Sequence, residues 1–361
     1  PSPTPPATEQ VKETEAETPA PYFTPDPFTA TDAPFEWDYP ECTEKEQTER
    51  QARLSSGASV SAYLPNVPES FDSAANHSYV LALRMALQTA GRLTDFYKRS
   101  AAEFLKTEEP GKNALYSPLN VYMALAMMAE TASGSTRAQI LELLGADSIE
   151  ALRTQADLLW LNNYADNDVA VSLPASSLWL NSPYAAGVNG NVLERLSQLY
   201  HTSVFEGDMA DPDYSALFRD WMNEQTHDLL SDQIGGQEFD PGDLMTLAAT
   251  LYFRARWNSE FPKDASENGV FHSPSGDEEA VFMHGFADDY YMREGYTAAC
   301  KSLKDQSRVW FILPSEGVGL DEVLEKGDFF DLHLTGDEEG YVPARSYISP
   351  CRGWTRRRKR I

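Results

Sequence analysis

Histidine comes first when a sequence is searched for chemistry, because imidazole is both a general base near neutral pH and a common metal ligand. His77, His201, His227, His272, His284 and His333 show neither the HExxH spacing that sets two ligands on one helix face nor any other pair at ligand spacing. Each reads as a surface or capping residue. A seryl nucleophile on a tight elbow would leave G-x-S-x-G, and a phosphate cradle would leave a P-loop or G-x-G-x-x-G; the chain contains none of these. Cys42, Cys300 and Cys351 are too few and too scattered for a disulfide framework or a metal knuckle and read as isolated thiols. Asn76-His77-Ser78 fits the glycosylation acceptor pattern, which is frequent by chance. The residues therefore predict no catalytic centre, no cofactor and no metal.

Ser117 is the serine with the clearest positional meaning, and that meaning is structural. It precedes Pro118, a residue whose fixed φ and missing N–H suit the first helical position, so Ser117 should cap a helix. From Val121 to Ala132 the helix is apolar on nearly every side and demands burial within a large core. Gly134 should end it, Ser135 should cap a second helix with Ile140, Leu143 and Leu144 on its apolar stripe, and Gly145 should stop that one. Further along, Ala114 to Tyr116 reads as a short strand and Ser148 to Leu161 as an amphipathic helix. Val169 to Leu180 is β-rich, and Pro174 predicts a bulge or an edge position. Val192 to Tyr200 and Asp211 to Leu230 read as helices, the second with Tyr214, Leu217, Trp221 and Leu229 on its apolar side. Leu244 to Phe253 is a continuous apolar run, expected as a strand covered on both faces inside a large sheet, and Val309 to Pro314 as another strand.

Composition bounds the partners. A net charge of -27 raises the free energy of approach to nucleic acid or an anionic membrane, so neither is expected as a partner. No apolar run approaches the ~18 residues that would span a bilayer. Residues 1–50 hold 12 acids against three bases, with many Pro and Thr. Such a stretch cannot bury enough apolar surface to offset its ordering entropy. Residues 1–78 are thus expected as a disordered acidic leader or stalk, and residues 79–326 as the globular body.

Several segments of that body, taken in order, resemble the serpin family. Asn113 with Ser117-Pro118-Leu119, Ala124-Leu125, and Gly134-Ser135-Thr136-Arg137 with Gln139-Ile140 resembles the family's helix B and helix C. Trp221-Met222-Asn223 with Thr226 is similar to helix F. Leu251-Tyr252-Phe253-Arg254-Ala255-Arg256-Trp257, with Phe261 and Phe271, resembles the strand 3A pattern YFKGxW, and Phe282-Met283 and Phe311 to Val318 resemble the strands that follow. The resemblance implies an α+β fold of helices packed around three mainly antiparallel β-sheets. It also implies an inhibitor whose exposed loop baits a serine or cysteine protease and inserts, once cleaved, as a new strand into the central sheet. A monomer is expected, extracellular or anchored at the cell surface; the acidic Pro/Thr-rich leader looks like that of a secreted or lipid-anchored bacterial member. By the same resemblance Ser117 matches the shutter serine, Trp257 the tryptophan at the top of the sheet, and Ala249 and Thr250 lie on the central strand. Two positions depart from the pattern: Asn120 stands where the second shutter serine is usual, and Ala249 where strand 3A carries Asn.

The resemblance runs from Leu93 to Val323. Beyond Glu325 nothing resembles the remaining central strands, the small-residue hinge, the reactive loop or the final hairpin. Residues 327–361 instead turn basic, with Arg345, Arg352, Arg356, Arg357, Arg358, Lys359 and Arg360. That charge could serve a polyanion patch, but the flip of composition where the resemblance stops favours a frameshifted or misassembled end. The expectation is a partial fold without its C-terminal strands and loop, inactive as it stands and prone to aggregate through unpaired sheet edges.

Overall fold

The computed structural model describes residues 59–61, 71, 74–89, 93–107, 114–273, 276–332 and 347–348. The longer helices are α1 (Ala74–Thr89), α2 (Leu93–Thr107), α3 (Pro118–Thr131), α4 (Gly134–Leu144), α5 (Ile149–Asn163), α6 (Gly190–Leu199), α7 (Pro212–Thr226) and α8 (Leu320–Lys326). The strands are β1 (Ser59–Ser61), β2 (Ala165–Asp166), β3 (Ala170–Asn181), β4 (Thr202–Gly207), β5 (Met245–Ala255), β6 (Glu267–Ser273), β7 (Gly276–Phe282), β8 (Gly285–Phe286), β9 (Asp289–Arg293), β10 (Tyr296–Ser302), β11 (Arg308–Pro314) and β12 (Tyr347–Ile348). Among the described residues they form a five-stranded sheet centred on β3, a three-stranded sheet β11-β10-β9, and the two ribbons β6-β7 and β12-β8. Pairing is antiparallel except between β3 and β4. The architecture is α+β, as expected.

The helix that the sequence predicts most firmly forms where predicted, but it is not buried all round: Met128 is 44% exposed. Ser117 Oγ accepts from the Asn120 amide at 3.3 Å, Pro118 opens α3, and Leu119, Tyr122, Met123, Ala126, Met127 and Ala129 are buried. The next helix starts earlier than expected, at Gly134 behind Ser133, and its stripe is narrower, because Leu143 faces solvent while Ile140 and Leu144 are buried. Gly145 ends it in the left-handed region at φ 71°, open to glycine at little cost.

Other expectations are corrected by partners that lie far away in sequence. Ala114 to Tyr116 form no strand, and Leu115 is 94% exposed; a strand needs a neighbour, and none of the described residues pairs there. Pro174 makes no bulge, since β3 pairs without a break against β5 with Pro174 opposite Leu251, and the edge alternative is the one that holds. On the other side β2 reaches only Val171 and Ser172, and β4 begins at Ser176, so Pro174 sits in a gap where no strand requires its missing N–H. The helix expected to run to Leu230 stops at Thr226: His227 and Asp228 both turn left-handed, at φ 49° and 61°, and Leu229 is exposed. β5 is not covered on both faces; Leu251 and Phe253 are exposed, and among the described residues its one hydrogen-bonded neighbour is β3.

The limits of the body also move. Within residues 1–78, Ser59–Ser61 pairs with Glu206 to Val204 and α1 begins at Ala74. Asn76 is buried and its Nδ2 donates to the Phe71 carbonyl at 3.0 Å, so it is no glycosylation acceptor in this fold. Beyond residue 326, Phe329 packs edge-on to Tyr296 and Leu332 is buried, while Tyr347 and Ile348 pair with Phe286 and Gly285. The rest of the leader, Cys42, Cys351, His333 and the basic residues from Arg345 onward lie outside the described residues.

Candidate functional site

The five residues singled out by the resemblance fall into two groups. Ser117 and Asn120 occupy the first turn of α3, and α3 lies against β5. Ala249 and Thr250 sit in the middle of β5, opposite Ser176 and Ala175 of β3. Thr250 is buried, and its Oγ1 has no hydrogen-bond partner among the described residues. Trp257 stands apart, two residues past the end of β5 and seven past Thr250, roughly 23 Å at strand rise. It bridges to Leu303, the residue after β10, and packs edge-on to Phe261 at 5.5 Å. Amide and carbonyl of the preceding Arg256 are also engaged, by Val169 and Lys304 at 3.1 and 2.9 Å. Trp257 thus ties the end of β5 to the three-stranded sheet rather than joining the Ser117 region.

Helix α7 crosses the sheet and is fixed to it by aromatic rings. Trp179 of β3 stacks on Phe205 of β4 at 3.9 Å, and Tyr214, Phe218 and Trp221 of α7 meet the same indole edge-on at 5.3 to 6.4 Å. Tyr214 also donates its hydroxyl to the Leu180 carbonyl at 3.2 Å. The close approach depends on Gly207, where a Cβ would come within 2.5 Å of the Tyr214 ring. Asn181 closes the same end: its Nδ2 donates to the carbonyls of Pro241 and Asp243, and its Oδ1 accepts from the Met209 amide.

Underneath, α3 carries a buried acid that periodicity does not reveal. Glu130 accepts from Arg153 of α5 at 2.9 and 2.8 Å, from Arg195 of α6 at 2.5 Å and from the Tyr200 hydroxyl at 3.2 Å. Burial alone would raise its carboxyl; the two guanidiniums outweigh that and hold it below the usual carboxylate range. Three helices are thereby locked to one another beneath the sheet.

The histidines are not all surface residues. His201 and His284 are buried; His201 Nε2 lies 2.7 Å from Asp157 Oδ1, and its ring stacks on Trp160. His227 does cap α7, with its ring over Tyr252. Cys300 is a buried free thiol, pushed up to about 12 mainly by burial and hence inert as a nucleophile. Among the described residues no group of His, Cys, Asp and Glu could hold a metal ion, and no helix is long and apolar enough to cross a membrane. The arrangement offers an eleven-residue strand, β5, whose outer edge pairs with no other strand among the described residues.

Comparison with known proteins gives the same picture. The family model described as serpin (serine protease inhibitor) matches residues 93–329. Serpin-Z2B of Oryza sativa subsp. japonica is 27% identical over 203 residues, which cover 55% of this chain and 48% of that protein. Plasma serine protease inhibitor of Mus musculus is 26% identical over 237 residues, covering 60% and 56%. The crystal structure of tengpin, a thermophilic serpin, in the latent state superposes with a TM-score of 0.60 at 23% identity, covering 73% of this chain and 70% of that one. The chain spans about half to two thirds of the length of the curated relatives it matches.

Proposed function

Because the chain belongs to the serpin family, we propose that it is built to inhibit a serine or cysteine protease by accepting its own cleaved loop as a strand beside β5. The observation that carries this reading is the open outer edge of β5, braced from below by α3 and crossed by α7. In such an inhibitor the protease nucleophile attacks a loop carbonyl, the peptide bond breaks with release of the amine, and the acyl-enzyme remains, as an ester of a serine or a thioester of a cysteine. Insertion of the freed loop then completes the backbone hydrogen bonds of the β5 edge and carries the acylated protease away before water can hydrolyse it. Ser117, Asn120, Ala249 and Thr250 lie where such a sheet must part. Thr250 supports the reading, since a buried hydroxyl without a partner costs about 1–3 kcal/mol and leaves the closed sheet less stable than it could be.

No segment of the 361 residues resembles the hinge or reactive loop, so these residues alone are expected not to inhibit, and a non-inhibitory binding or structural role is the second reading. The protein is taken to act as a monomer outside the cell or at its surface, and the leader favours a secreted or lipid-anchored bacterial source. The experiment is titration of trypsin-, elastase- and subtilisin-like proteases with the 361-residue chain. The expected outcome is undiminished protease activity; stoichiometric inhibition would refute the expectation that these 361 residues carry no working reactive loop.

A further inference from the structure

The ribbon β6-β7 carries charge of one sign. Residues 264–292 hold seven Asp and Glu and no Lys or Arg, and Glu267, Asp277, Glu278 and Glu279 of the ribbon are all exposed. Apolar side chains stand among them. Val270 and Val281 are exposed and share one face with Glu279, because Val270 pairs with Glu279 and Asn268 with Val281. β7 has β6 on one side and, among the described residues, no strand on the other. Such an outer edge receives extended segments by strand addition, and its carboxylates select one that carries cations.

Continuity names the segment. β8 begins three residues after β7 ends and is paired antiparallel with β12, Tyr347 opposite Phe286 and Ile348 opposite Gly285. Thirteen residues follow Ile348, and they include Arg352, Arg356, Arg357, Arg358, Lys359 and Arg360 with no acid. We propose that this basic end runs on from β12 as an antiparallel strand along the outer edge of β7. The register of β12, carried forward residue for residue, sets Arg352 against Val281, Trp354 against Glu279 and Arg356 against Asp277. Opposite residues share a face and diagonal neighbours stay within reach of long side chains. Trp354 therefore covers the exposed Val281, Arg356 meets Asp277 and, on the diagonal, Glu279, and Arg357 meets Glu278 diagonally on the other face. The length suffices: the nine residues from Ser349 to Arg357 match the nine from His284 back to Gly276, with four to spare. The contact gives the basic end a partner inside an acidic chain and requires neither the β5 edge nor a reactive loop.

The test is trypsin cleavage of the 361-residue chain after Arg352 and within Arg356 to Arg360, followed by intact mass, with a synthetic peptide of residues 345–361 as the uncovered reference. The peptide should be cut about tenfold faster than the same bonds in the chain, because release from the edge must precede cleavage. The variant Asp277→Asn/Glu278→Gln/Glu279→Gln, altered only at exposed positions, should lose its end about fivefold faster than the unaltered chain. Salt at about 0.5 M should bring the unaltered chain close to the variant's rate, with a smaller effect on the peptide. Glu142→Gln, at an exposed position on α4, should change nothing. Equal cleavage of chain and peptide, or equal rates in the unaltered chain and the triple variant, overturns the proposal. Protection that vanishes on dilution also overturns it, since the end would then lie on a second copy.

Discussion

Glu130 and Arg153 meet at two points, Nε donating to Oε2 at 2.9 Å and Nη2 to Oε1 at 2.8 Å, with the carboxylate wholly removed from solvent. The pair joins α3 to α5 across 23 residues of sequence, and Arg195 brings in α6 through the same carboxylate. Removing the acid leaves two guanidiniums facing a space built for a negative charge. Glu130→Ala should therefore destabilise the fold by about 3–5 kcal/mol, measured by urea unfolding. A loss below ~1 kcal/mol would show that the three helices are held by their apolar contacts alone.

The same carboxylate predicts how stability depends on pH. Its pKa is lowered in the folded state, so the unfolded chain binds the proton more tightly and the stabilisation is fully present above the unfolded value, near 4.5. It is lost as pH falls from there through the lower folded value. Urea midpoints of the unaltered chain should drop across that acid range, and those of Glu130→Gln should drop less. Parallel curves for the two proteins would place the acid sensitivity elsewhere.

The glycine at the end of β4 should be the least replaceable contact between α7 and the sheet. Gly207→Ala drives a Cβ into the buried Tyr214 ring, which is also held by its hydroxyl on Leu180, so the ring cannot simply swing away. Overpacking of this kind costs about 1–3 kcal/mol. Limited proteolysis should show faster cutting around α7 in the variant, and an unchanged cleavage pattern would contradict the packing described for that helix.

How much of this was legible beforehand divides along the range of the interactions. Ser117-Pro118 writes a helix start in two adjacent residues, and Ser148 caps α5 in the same way, accepting from the Ala151 amide at 3.1 Å. The strand β5 was legible as a strand, but not its half-open setting, because an apolar run reports burial appetite and not which neighbours are present. Of the two settings that Pro174 announced, a bulge or an edge, the second holds: it pairs with Leu251 on one side, and the gap between β2 and β4 leaves the other side open. Glu130 was hidden inside a helix read as apolar, since its partners come from two other helices. The left-handed turn at His227 and Asp228, which shortens α7, carries no glycine to announce it. Of the five residues proposed for the site, Ser117 and Asn120 lie on α3, Ala249 and Thr250 lie on β5 against which α3 packs, and Trp257 lies just past the end of β5.

Thr250 offers a test in the opposite direction. Its Oγ1 is buried without a partner among the described residues, while valine has the same shape and the same β-branched preference for a strand. Thr250→Val should raise stability by about 1 kcal/mol in urea unfolding. A loss of similar size would mean that the hydroxyl makes a hydrogen bond that the closed sheet depends on.

The central claim is that this fold is made to trap a protease by strand insertion beside β5. Its most direct test is denaturing electrophoresis after mixing trypsin-, elastase- and subtilisin-like proteases with two proteins: the 361-residue chain, and a version continued in frame through a small-residue hinge, reactive loop and closing strands. The expected result is an SDS-resistant one-to-one complex from the continued version with at least one protease, and none from the 361 residues. Cleavage of the continued version by every protease without any such complex would contradict it.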